Sequence, residues 1–157
     1  MDDASFIEEL TKKLTDIKSI VVVYLDDVDR VQKRVNSLYK KYTDIKIGDQ
    51  ISSEVVELEK KFKSILRDFI SLQNYLFDVK KLENRQVMFL RKRVDAHVEM
   101  VISSIAKNLK SFVFNYTLKR MLVSFLSWCK REEKHIKKLM KYYENDVIEK
   151  KRTGAEA

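Results

Sequence analysis

The side chains able to do chemistry in this chain are few: two histidines, His97 and His135, and one cysteine, Cys129. Catalysis needs converging polar groups of graded pKa, a nucleophile with its base, or a metal. His97 lies between Val94 and Val98, beside Asp95, and reads as a core or boundary residue of a helix. His135 stands three residues after Glu132, the spacing of the Glu-x-x-His motif of di-iron bundles. Those sites take two such motifs and further glutamates from facing helices, and the chain has no second one. One cysteine and two histidines do not make a zinc site. Gly48 and Gly154, the only glycines, are too far apart for a phosphate-binding loop. The expectation is a protein without catalytic residues, metal, cofactor or small-molecule substrate.

The chemistry that remains is charge. Lys130, Lys134, Lys137, Lys138 and Lys141 fall on one broad helical face, because successive members are about one turn apart. Arg131 extends the cluster, and Glu132 and Glu133 are the only acids between residues 119 and 141. A second cluster, Arg91, Lys92 and Arg93, follows Arg85. Such surfaces suit the phosphates of nucleic acid or anionic lipid headgroups, against the plainer reading of ordinary solvated lysines. Lysines with little arginine or aromatic interleaving point to diffuse attraction rather than base recognition.

Helices must carry these groups. The 157 residues include no proline, 45% are hydrophobic, and the formal net charge is +8. A chain without the usual turn residues reads as all-α. Ile7, Leu10, Leu14, Ile17, Val21, Tyr24, Val28, Val31, Val35, Leu38, Tyr42 and Ile45 recur at threes and fours, a heptad stripe that predicts a first helix over about 5–45. Ser5 and Glu8 form a capping box at its start, with Asp2 and Asp3 also suited to a helix N-terminus. Gly48 is the expected exit residue, with Asp49, Ser52 or Ser53 capping the next helix. Ile51, Val55, Leu58, Phe62, Ile65, Phe69, Leu72, Leu76 and Val79 then repeat the pattern, so residues 1–80 read as a long antiparallel hairpin. No glycine, proline or small polar run marks a turn near Asn84, which favours continuation of the second helix from 80 to about 108 over a break there. A turn is expected within Asn108–Thr117, then a last helix over about 117–149 and a frayed basic tail, 151–157. The architecture is one elongated antiparallel bundle over 1–150, of three long helices or possibly four, with coiled-coil-like packing.

Charge and apolar width then suggest partners. Residues 1–29 hold eight acids against three lysines, so the acidic first third can complement the basic last third across an antiparallel packing or across a subunit boundary. Ile20, Val23 and Leu25 widen the first stripe, and Phe125 and Trp128 widen the last, beyond what a simple coiled coil uses. These five are the candidate protein interface. The leading expectation is a structural or protein-interaction module that self-associates, as a homo-oligomer, or joins a larger complex. The alternative is binding of nucleic acid or an anionic membrane through Arg91, Lys92, Arg93, Lys130, Lys134, Lys137, Lys138 and Lys141. The acidic opening residues do not resemble a secretory signal, and no apolar run approaches a membrane span. An intracellular soluble protein is expected, cytoplasmic or residing in a host cell or virion.

Overall fold

The heptad stripes become four helices in a computed structural model that describes residues 2–42, 44–108 and 115–153. They are α1 (Asp3–Leu38), α2 (Asp44–Asp78), α3 (Arg85–Lys107) and α4 (Tyr116–Thr153). Residues 154–157 of the expected tail, and the interior of the expected turn after Asn108, lie outside the described residues.

The first helix starts earlier and stops sooner than the stripe predicts. Asp2, in extended conformation, is its N-cap and accepts a 2.7 Å hydrogen bond from the Ser5 amide. That bond holds the Asp2 carboxyl below the usual carboxylate range. The cap therefore falls three residues before the Ser5 and Glu8 box. At the other end, the Lys40 and Lys41 amides bond to Ser37 and Leu38 carbonyls three residues back, tightening the last turn. Val35 is the last fully buried member of the stripe on α1, Leu38 is half-buried and Tyr42 is 40% exposed, while the side chain of Ile45, the last member, lies outside the described residues.

Gly48 is not a helix exit. It sits inside α2, and a Cβ built on it meets nothing within 4 Å. The turn is made instead by the tightened Tyr39–Tyr42 segment, which needs no glycine. Replacing Gly48 by alanine is expected to stabilise the protein by about 0.5–1 kcal/mol, by removing backbone freedom from the unfolded chain. A rise in the urea midpoint with an unchanged m-value checks this.

The expected continuous helix through residue 84 is also corrected. The second helix ends at Asp78, and Asn84 starts α3 by accepting from the Gln86 and Val87 amides at 2.8 and 3.4 Å. A residue 80 positions away completes the break: the Asp3 carboxylate accepts from the Glu83 amide at 3.0 Å and the Asn84 amide at 2.7 Å. Tyr143 of α4 donates its hydroxyl to the same carboxylate at 3.0 Å. Burial, reinforced by that bond to Asp3, pushes the Tyr143 phenol well up, so the donor keeps its proton.

Each helix runs antiparallel to its neighbours, α1 lying beside α2 and α4, and α3 completing the square against both. Cross-links step in opposite directions along α1 and α2: Phe6 and Lys13 against Tyr75, Tyr24 against Phe62, Asp27 with Lys61, Arg34 with Glu54. The stripes meet in one core, with Phe6, Phe62, Phe69, Leu90 and Leu122 essentially inaccessible to water. Phe62 packs on Tyr24 of α1, whereas Phe69 reaches across to an edge-on contact with Phe125 of α4, ring centroids 4.9 Å apart. With 23 residues, about 35 Å, α3 is much shorter than the 36-residue α1, about 54 Å. The α1–α2 hairpin therefore projects past the C-terminal end of α3.

Among the described residues, no helix is long and apolar enough to cross a membrane.

Candidate anion-binding surface

The helix that carries most of the basic cluster is two-sided. Its inner stripe, Leu118, Leu122, Phe125, Cys129, Glu132, Ile136 and Leu139, is buried. The opposite positions, Tyr116, Arg120, Val123, Ser127, Lys130, Lys134, Lys137 and Lys141, also alternate four and three, and every one is exposed. This second heptad stripe runs straight along the outside of α4 for about 37 Å. Arg131 and Lys138 flank it, both exposed.

What keeps the stripe purely cationic is the fate of the two glutamates inside the lysine cluster. Glu132 is 4% exposed and turns inward, where Arg93 of α3 donates to it through Nε at 3.0 Å and again through Nη2. Glu133 turns sideways to α1 and pairs with Lys18. Over 116–141 no position of the outer stripe is a carboxylate; Glu133, its side chain 41% exposed, stays at the α1 edge of the face in its pair with Lys18, and among the described residues none of Lys130, Arg131, Lys134, Lys137, Lys138 and Lys141 lies in an ion pair. The expected complement of acidic first helix and basic last helix is thus inverted at this contact, with α1 supplying the lysine and α4 the acid. Three acids of α1 pair elsewhere, Asp27 with Lys61 and Arg30, Asp29 with Lys33 and Glu9 with Lys13, and Asp3 meets α4 through the Tyr143 hydroxyl and not through a lysine.

The second basic cluster does not join this face. Arg91 donates to the Val79 carbonyl at 2.7 Å, holding the link after α2, and Arg93 serves Glu132. Both are committed to structure, which leaves only Lys92 of the three exposed and outside any such contact. The anion-surface set therefore divides into the α4 lysines, brought together, and the α3 arginines, turned to internal partners.

The candidate protein interface divides too. Phe125 and Trp128 are buried, Trp128 stacked on His97 with centroids 4.2 Å apart. Leu25 packs half-buried beside Leu118 and Leu122, and Ile20 lies in the α1–α2 groove with Leu72. Only Val23, 53% exposed, stands free at the surface. The apolar width in the sequence is what a four-helix core uses.

The residues weighed for catalysis find ordinary places. Burial against Trp128 lowers the His97 pKa, an effect that the nearby Glu132 partly opposes. Burial likewise raises the Cys129 thiol to about 12, so it stays protonated and unreactive at neutral pH. His135 is exposed on α4, while Glu132 is taken by Arg93. Among the described residues, no three of the His, Cys, Asp and Glu side chains are grouped to hold a metal.

The lysine face of α4 is legible in the sequence, whereas the Asp3 junction, the continuation of that face through Arg120 to Tyr116 and the inward role of Glu132 are not read from it. The last had a visible signal: an acid in a core heptad slot between Cys129 and Ile136 requires a cation from a facing helix. Comparison of the chain with protein-family models, with curated proteins and with solved structures gives no match.

Proposed function

We propose that the protein is a binding module that docks a polyanion, the phosphate backbone of a nucleic acid, along the outer face of α4, with no catalytic role. The observation that carries this reading is the carboxylate-free cationic stripe, whose two interspersed glutamates are drawn off by Arg93 and Lys18. Lysines spaced along a straight helix neutralise phosphates without reading bases. Interfacial membrane helices bury an apolar face among lipid headgroups. Here the apolar face of α4 is already sealed in the bundle, which favours a soluble polyelectrolyte.

The test is a salt titration of binding to heparin and to nucleic acid. The dissociation constant is expected to rise steeply with salt. Changing Lys134, Lys137, Lys138 and Lys141 together to glutamine should weaken binding more than tenfold and reduce the log–log slope by about three, four lost contacts at roughly 0.7–0.9 each. Binding indifferent to salt, or unchanged in the variant, removes this site.

Self-association is a second reading, and it rests on a different face: Val56, Ile70 and Phe77 share one heptad column of α2 and are 49%, 40% and 73% exposed. Sedimentation should then show a dimer that Phe77→Ser dissociates; a monomer at high micromolar concentration ends that reading.

A further inference from the structure

We propose that the partner is a single-stranded nucleic acid, whose phosphates follow the α4 lysines and whose bases stack on Tyr116 at the start of α4 and on Tyr39 and Tyr42 at the projecting tip of the α1–α2 hairpin. This rests on the reading of α4 as a polyanion track, and it names the polymer.

The track does not end in charge. Its first position is Tyr116, 70% exposed, with the Arg120 guanidinium 5.7 Å from the ring centroid. Tyr116 is held at the first turn of α4 because Asn115 caps the helix, accepting from the Leu118 amide at 2.9 Å while donating to Asn108 at the end of α3 at 3.1 Å. Beside it run Leu25, Asp29 and Gln32 of α1, which line one groove together with Asn115 and Tyr116, the Asp29 carboxylate being paired with Lys33 at 3.2 Å. Tyr39 lies in the same heptad column as Leu25 and Gln32, one step of seven further on and still in helical conformation. That places its ring on the flank facing the start of α4, about 10 Å beyond Gln32. Tyr39 is 58% exposed and Tyr42 40%. Lys40, Lys41 and Lys46 are exposed around them, with Asp49 the one exposed acid among the described side chains of 39–50.

Aromatic rings interleaved with cations at the end of a lysine track are what single-strand binders use, because every unpaired base offers a face to stack. A duplex keeps those faces in its own stack, so the tyrosines would gain nothing from it. A bilayer lying along the side of α4 would not also cover the end of the bundle, whereas a flexible strand can follow the side and turn over the tip. Within 39–42 and 46–50 no aliphatic side chain is exposed for insertion into lipid.

The experiment measures anisotropy of labelled thymidine and uridine oligonucleotides of about 20 nucleotides, longer than the roughly 4–16 nucleotide sites of single-strand binders. A duplex of equal length, heparin and phosphatidylserine vesicles are run in parallel. The wild-type protein should bind at least one single strand more tightly than duplex. Combined Tyr39→Ala and Tyr116→Ala should weaken that binding about thirtyfold or more, the low end for loss of two stacked bases, while heparin binding stays within about twofold. Adding Tyr42→Ala should deepen the loss, and Tyr→Phe at the same positions should preserve binding, since the ring and not the hydroxyl stacks. All three rings are exposed, and an unchanged helical spectrum verifies the fold. Unchanged single-strand binding, an equal loss on heparin, preference for duplex, or tyrosine-dependent capture by vesicles overturns this inference while leaving the α4 track standing. A wild-type protein that binds neither heparin nor any nucleic acid overturns both.

Discussion

Replacing Asp3 with alanine is expected to destabilise the fold by about 2–4 kcal/mol, more than a surface acid in the first turn of a helix would suggest. Asp3 is 8% exposed, and its carboxylate accepts three hydrogen bonds from two elements: two backbone amides of the α2–α3 link and the Tyr143 hydroxyl of α4. Hydrogen bonds to a charged group contribute roughly 1.5–3 kcal/mol, and amides left without an acceptor incur part of their desolvation penalty. Some of that loss is recovered by water, because the link lies at the end of the bundle. Asp3→Asn keeps an acceptor oxygen without the charge and should cost about half as much. Tyr143→Phe should cost about 1 kcal/mol, one hydrogen bond. Urea unfolding followed by circular dichroism gives these values. Hydrogen exchange at the Glu83 and Asn84 amides gives the location, since Asp3→Ala should speed both beyond the global loss. An Asp3→Ala variant within about 0.5 kcal/mol of wild type would show that the link holds its shape without this acceptor.

The same junction shows where local pattern stops being informative. The core stripes of all four helices are in the sequence because burial on one side of a helix imposes a period, and Ile7 through Val35 and Leu58 through Val79 are buried as that period requires. Helix ends follow different physics. The break before Asn84 depends on a carboxylate from the chain's third residue, and no window around Asn84 contains that acceptor. Gly48 misleads for the opposite reason: a strong local preference for turns is overridden inside a helix whose stability comes from its packed face. The α4 lysines are legible as a cluster in the sequence. That the cluster is free of acids is not, because Glu132 and Glu133 are interleaved with it and their departure to Arg93 and Lys18 is decided by which helices flank α4.

Arg93→Ala is expected to be the costliest single change at that inner contact, at about 2–4 kcal/mol, while Glu132→Leu is expected to be near neutral. The two partners are unequally placed: the Glu132 side chain is 6% exposed and that of Arg93 is 45% exposed. Removing the arginine strands a carboxylate in the core among Cys129, Ile136 and Trp128. Breaking a fully buried pair in this way typically costs about 3–5 kcal/mol, and the value here is reduced because water reaches the side Arg93 vacates. Removing the glutamate strands nothing, since the guanidinium can turn into solvent, and leucine restores an apolar residue to a core heptad slot. Adding Glu132→Leu to Arg93→Ala should therefore recover most of the lost stability, a coupling that a double-mutant cycle in urea measures directly. Equal costs for the two single changes would mean that both charges are held away from water, and the bundle would then be tighter around α3 than its exposure indicates. The outcome also bears on the outer face. With Glu132 gone and the fold intact, the lysine track loses no outward charge, so polyanion binding by Glu132→Leu should match wild type within about twofold, while Arg93→Ala weakens it only as far as it unfolds the helix pair.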